Sequence, residues 1–235
     1  MFPIRDTIPN THPPVVTRFL IWANIIIFVF QALLPEWQVQ NLVERFGVIP
    51  IRFTRPHYAA MRGYPWDGYW PFLTSMFLHG GFLHVLTNVW TLWIFGDNVE
   101  DRMGSGRFLA FYLLCGVLAM VMHTLTNPFS PIPAIGASGA IAGVMGAYFV
   151  LFPNAWVITL VPILIFPLFI PIPAFIYLLV WFLMQFVSGA SSLFGPGQGG
   201  GIAWWAHIGG FVAGLWGYSF FLRPEKKRSV SSFQT

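Results

Sequence analysis

Charge is what this 235-residue chain has least of. Asp, Glu, Lys and Arg make up 9% of it, against roughly 25% in soluble domains. None of the four occurs between Arg107 and Arg223. A soluble fold needs surface charge over such a length, so the composition implies a multi-pass membrane protein. Cysteine is scarce too: the single Cys115, in an apolar run, excludes an intramolecular disulfide. The twelve basic residues sit beside apolar spans, not on one face, which argues against nucleic acid as a partner. Arg223, Lys226, Lys227 and Arg228 form a cluster after the last span that reads as cytoplasmic anchoring. Residues 1–14 hold four prolines and little apolar content. They read as a short cytoplasmic segment, not a signal peptide, and the first span is expected to serve as its own uncleaved signal.

What the chain has is long apolar runs. Six crossings are expected, at Val15–Leu34, Phe77–Phe95, Phe108–Leu125, Gly136–Phe152, a shorter Ala174–Val187, and Ile202–Leu222. Pro35 to Ser75 mixes arginines with Trp and Tyr and reads as a structured first outer loop lying partly in the outer leaflet. Asp97–Arg107 reads as a short charged turn. Ala155–Pro173 is apolar, but Pro162, Pro167, Pro171 and Pro173 forbid a regular helix, so it is expected to be a hydrophobic connecting segment. Ser188–Gly201 is rich in glycine and reads as a mobile loop. The expectation is thus an all-α six-helix bundle over residues 15–222, with a basic tail at 223–235. Basic residues near both ends put both termini on the cytoplasmic side, which requires an even number of crossings.

That topology gives the polar residues meaning. Spans two, four and six all run from outside to inside. His84 with Asn88, Ser138, and His207 each lie near the start of one of them, at a similar depth below the outer surface. Ser138 stands in Gly136-Ala137-Ser138-Gly139, at the start of a helix whose free N–H groups and positive end face whatever sits above its hydroxyl. Alone, the motif is equally a packing feature. His84 and Asn88 are four apart and share a helix face. His207, Gly210, Gly214 and Gly217 form one stripe, and Gly139, Gly143 and Ala147 another. Two such helices pack with close backbones, which brings Ser138 and His207 within hydrogen-bond reach. A histidine is then placed to take the serine proton. No acid lies between residues 108 and 222, and Asp97, Glu100 and Asp101 lie at the other end of span two. The arrangement is therefore a dyad and not a Ser-His-Asp triad. His84 and Asn88 are suitable donors to a developing oxyanion.

These residues resemble the rhomboid family of intramembrane serine proteases. The likeness is carried by HGGFLHVLTN at 79–88, EDRMGSG at 100–106, GASG at 136–139, and His207 with Gly210 and Gly214, in the family's order across about Trp70 to Leu222. It implies a Ser138–His207 dyad that cleaves in or near transmembrane segments. It implies an oxyanion site of His84, Asn88 and the Ser138 N–H. Glu100 and Arg102 would be structural, tying the second helix to the following turn. Two departures stand out: Trp70 is followed by Pro71 where the family often has Trp-Arg, and Ala142 occupies a position one turn after the serine that is often aromatic.

Gly136, Gly139, Gly210, Gly214 and His79 are read as structural. A metal site at His79, His84 and His123 matches no ligand spacing, so no metal or cofactor is expected. The expected partners are single-span or multi-span membrane proteins and membrane lipids, and the expected location is the plasma (inner) membrane. Two other classes compete: a catalytically dead relative, disfavoured by the intact Ser138 and His207, and a channel or transporter, disfavoured by the absence of repeats and of a polar path.

Overall fold

Proline and glycine punctuate the helices, and the computed structural model, which describes residues 2–64, 68–163, 166–194 and 202–224, follows that punctuation. Helix α1 (Val15–Leu33) begins after Pro13-Pro14 and ends where Leu34 turns extended ahead of Pro35. Helix α2 (Glu36–Phe46) follows. Three short helices, α3 (Pro50–Thr54), α4 (Pro56–Met61) and α5 (Pro71–Thr74), each carry proline in the first turn, where its missing N–H costs nothing. Helix α6 (Phe82–Met103) starts after Gly80-Gly81 and stops at Gly104, whose φ of +81° ends it. Helix α7 is Ser105–Thr126, α8 is Ser138–Leu151, α9 is Ala174–Phe194 and α10 is Trp204–Gly217, the last extended by a 3-10 turn over Tyr218–Phe221. Of these, Val15–Leu33, Ser105–Thr126 and Ala174–Ser192 are long and apolar enough to cross a bilayer, and Ser138–Leu151 is a shorter apolar helix.

Burial is arranged as lipid demands. On α1, Thr17, Asn24 and Gln31, spaced by seven, are buried, while Phe19, Trp22, Ile26 and Phe30 are exposed. The polar stripe faces protein and the apolar faces point outward, the reverse of a soluble amphipathic helix. Gln31 brackets the His79 backbone, accepting its N–H at 3.1 Å and donating to its carbonyl at 3.4 Å. Helix α8 is the innermost element, buried from Gly139 to Tyr148.

Several expectations need correction. The chain is mostly helical but not all-α. Strands β1 (Phe2–Asp6), β2 (Trp156–Ile163) and β3 (Phe166–Pro173) form an antiparallel sheet in that order. The prolines exclude a helix but accept this sheet. Pro162 faces Pro167, a pair that cannot exchange hydrogen bonds. Pro171 and Pro173 lie an even number of residues from Pro167, so all three missing donors of β3 fall on its outer edge.

Strand β1 ties residues 2–12 to α6 and α8. The Pro3 carbonyl accepts from Trp90 Nε1 at 2.7 Å, and the Asp6 carboxylate accepts from the Tyr148 hydroxyl and from Asn98 Nδ2. Burial, with Asp97 nearby, pushes the Asp6 carboxyl up to about 6 against the pull of the Tyr148 bond.

The charged turn expected at 97–107 is helix on both sides of Gly104, because its acids are used as helix caps and clamps and are not left to solvent. Glu100 accepts the N–H groups of Val16 and Thr17 at 2.9 and 2.8 Å, capping α1 from another helix, and also takes the Ser105 hydroxyl at 2.6 Å. The fifth span is longer than expected, because residues 188–194 continue α9; the rest of the expected mobile loop, 195–201, lies outside the described residues. Its Ser188, Gly189, Ser191 and Ser192 do not break the helix; Ser192 bonds back to the Gly189 carbonyl at 2.6 Å. Gly217 is not part of the packing stripe: a Cβ there would meet nothing within 4 Å.

Candidate active site

Three helix beginnings converge at the site. His84 is the third residue of α6 and Asn88 the seventh, Ser138 opens α8, and His207 is the fourth residue of α10. Backbone contact fixes the last two. A Cβ on Gly210 would lie 1.9 Å from the Gly139 carbonyl oxygen, and one on Gly214 would lie 1.8 Å from that of Gly143. Only glycine permits α8 and α10 to meet so closely. Where the N-terminal ends of α8 and α10 meet, His207 Nε2 lies 2.8 Å from Ser138 Oγ.

The approach to Ser138 is held from outside the helix. Val48 and Ala134 exchange backbone hydrogen bonds of 3.0 and 2.7 Å, and the Gly136 N–H donates to the Ser75 carbonyl at 2.8 Å. Segments before α6 therefore brace the loop that delivers the serine. Gly136 takes φ +124°, and a Cβ on it would lie 2.7 Å from His84 Nε2 and 3.7 Å from Ser138 Oγ. One small volume is thus bounded by the serine oxygen and an imidazole nitrogen. His84 Nδ1 accepts the Gly80 N–H at 3.3 Å, which leaves Nε2 as the protonated nitrogen facing that volume. One turn further on, Asn88 is buried, and its amide nitrogen has no acceptor among the described residues. The first intrahelical bond of α8 runs from the Ile141 N–H to the Ala137 carbonyl, so the Ser138 N–H is free of a helical partner.

His79 is buried and packs edge-on against His84, ring centroids 5.0 Å apart. Arg102 lies over the Phe152 ring at 5.9 Å, and its carbonyl accepts the Arg223 N–H at 3.1 Å. His123 sits beside Asn127 at the end of α7, and no group of three metal-ligating side chains occurs among the described residues. A cavity of about 310 Å³ lies at the N-terminal end of α10, lined by His123, Asn127, Ser130, Ser192 and Trp204.

Sequence reasoning missed Gln185 and Trp181. Gln185, buried on α9, places Oε1 2.8 Å from His207 Nδ1. Trp181, one turn earlier, has its ring 6.0 Å from the imidazole at 34°, and Trp204 meets the imidazole edge-on at 6.3 Å. The signal was present: Gln185 is the one amide or charged residue in the apolar run 174–187, and such a residue inside a span marks a functional position.

A mostly helical protein with several apolar helices and, on α1, a polar stripe turned inward is a multi-pass membrane protein. A family model for the Rhomboid domain matches residues 67–224, so the chain belongs to the rhomboid family. Rhomboid protease GluP of Bacillus subtilis is 44% identical over 79 residues, 34% of this chain and 15% of that protein. RHOMBOID-like protein 5 of Arabidopsis thaliana is 28% identical over 166 residues, 66% of this chain and 45% of that protein. The mitochondrial Rhomboid protein 1 of Saccharomyces cerevisiae is 24% identical over 224 residues, 93% of this chain and 57% of that protein. The chain thus spans well under two thirds of the length of these relatives. Family membership and a relative named as a protease support an intramembrane protease.

Proposed function

We propose that the chain is an intramembrane serine endopeptidase that hydrolyses peptide bonds in or near transmembrane segments of single-span or multi-span membrane proteins. The observation that carries this reading is the 2.8 Å approach of His207 Nε2 to Ser138 Oγ at a crossing only glycines allow. The serine proton passes to Nε2 as Oγ bonds to the scissile carbonyl carbon, and the C=O electron pair moves onto oxygen. His84 Nε2–H, Asn88 Nδ2–H and the Ser138 N–H are the donors for that oxygen. His207 then returns the proton to the departing amine, and water hydrolyses the acyl-serine by the same route in reverse.

Six crossings follow from taking α1, α6, α7, α8, α9 and α10 as the spans. Both termini then lie on the cytoplasmic side of a plasma membrane, with the bonded ends of α6, α7 and α10 at the inner face. Glu100 and Arg102 hold that face together, while Gly136, Gly139, Gly210, Gly214 and His79 keep the catalytic groups in register. No cofactor takes part.

The test is labelling with a fluorophosphonate together with cleavage of a single-span substrate bearing small and helix-breaking residues. Wild-type protein labels and cleaves. Ser138→Ala and His207→Ala fall to background together, because nucleophile and base act as a unit. Equal labelling of Ser138→Ala and wild type would refute the proposal.

A further inference from the structure

We infer that Gln185 is a positioning residue that holds the base His207 in its productive tautomer; this rests on the serine-protease reading above. A neutral imidazole carries one N–H. For Nε2 to accept the Ser138 proton, that N–H must sit on Nδ1, and the group 2.8 Å from Nδ1 is Gln185 Oε1. The amide is buried on a helix that carries neither Ser138 nor His207. Trp181, on the same face of α9 one turn earlier, lies against the ring at 6.0 Å. Together they fix the imidazole in plane and against one face, a support that Ala142 on α8 does not supply.

Residue type fits the surroundings. In an apolar bundle a third carboxylate would have to be kept ionised far from water, which is costly. The acids of α6 are committed elsewhere: Asp97 to Asn10, Glu100 to the start of α1, and Asp101 to Thr11 and His12. A glutamine accepts the Nδ1–H without adding charge. It orients the base but gives imidazolium little electrostatic support. Its loss should therefore cost far less than the roughly 10⁴ in rate lost when a triad aspartate is replaced by asparagine. Because Gln185 belongs to α9 while serine and base belong to α8 and α10, base alignment depends on where α9 stands.

The test compares wild type with Gln185→Met, which keeps the shape but removes the acceptor, Gln185→Glu, which keeps an acceptor, and Gln185→Asn, which withdraws the amide by one methylene. Turnover of a single-span substrate in liposomes should fall about 10- to 100-fold in the Met and Asn variants, with KM within about twofold, and largely recover in the Glu variant. Independently, ¹⁵N spectra of histidine-labelled protein should show the His207 proton on Nδ1 in wild type and a shift toward Nε2 in Gln185→Met. Unchanged kcat and tautomer in Gln185→Met, with Ser138→Ala inactive in the same assay, would overturn the role of Gln185 and leave the protease reading standing. A wild type no better than Ser138→Ala would instead overturn the protease reading, and the tautomer alone would then decide the contact. Should Gln185→Met not fold, Gln185→Asn carries both measurements.

Discussion

Each side chain at the Ser138 site can be assigned a separate consequence. His84 faces the volume beside Ser138 Oγ, and the Asn88 amide nitrogen has no acceptor among the described residues. A donor that acts only on the developing oxyanion changes turnover and not binding. His84→Ala and Asn88→Ala should each lower kcat by about 10²–10³, with KM held within a few-fold. Steady-state cleavage of a single-span substrate measures this, and an effect confined to KM would refute the assignment. Gly136 is more demanding, because it combines φ +124° with a Cβ position 2.7 Å from His84 Nε2. Gly136→Ala both strains the backbone and displaces the His84 imidazole, the proposed oxyanion donor, so it should abolish activity even where folded protein is recovered.

Among elements, the decisive contact is α8 against α10. Gly210→Ala and Gly214→Ala must push the backbones apart. Each should cost about 1–3 kcal/mol as overpacking and lower activity by lengthening the Ser138–His207 contact. Gly217→Ala is the control: it adds a methyl into open space, and alanine is the better helix former. Thermal unfolding in detergent should leave this variant at or slightly above wild type.

The sheet carries a second element-scale prediction. Asp6 has a native-state pKa of about 6 against an ordinary 3.8, so the folded protein holds this proton more tightly than the unfolded chain. Its contribution to stability is fully present below about pH 4 and is lost as pH rises through about 6. Asp6→Asn keeps an oxygen for the Tyr148 hydroxyl and removes the titration. The stability difference between variant and wild type should therefore grow in the variant's favour from pH 4 to pH 7. Melting curves at both pH values decide it, and a constant difference would refute it.

For the whole molecule, the question is how the helices sit in the bilayer. The proposed six-span topology would put Thr11 inside and Tyr69 outside. In a Cys115→Ala background, a cysteine at position 69 should react with a membrane-impermeant maleimide in intact cells, and one at position 11 only after permeabilisation. Identical labelling of the two would exclude a single crossing by α1 between them, and with it the six-span topology. Glu100 matters at this scale because it joins the start of α1 to the end of α6 and to α7. Glu100→Ala leaves two helix-end N–H groups without their acceptor and should lower stability by about 3 kcal/mol, loosening the inner face as a unit.

Much of this was legible in the residues alone. The charge-free stretch from 108 to 222 dictates a membrane solvent, because no water-facing surface can be built from it. The glycine stripes foretell close helices, since only a missing Cβ lets backbones touch. The GASG, His207 and His84–Asn88 pieces carried the family likeness, and the match over residues 67–224 bears out the family. What the sequence did not decide is which partner each group finds. Gln185 could be seen as an isolated amide, but its bond to His207 spans 22 positions and exists only once α9 and α10 pack. The prolines at 162–173 excluded a helix, yet the sheet that takes them in is completed only when β2 pairs with β1, more than 150 residues away. Glu100 read as part of a turn because its acceptors' donors lie at the start of α1, 83 and 84 residues back. Periodicity and composition are local properties that set each segment's solvent and shape. Hydrogen bonds between distant segments are fixed only when tertiary packing brings donor and acceptor to the same place.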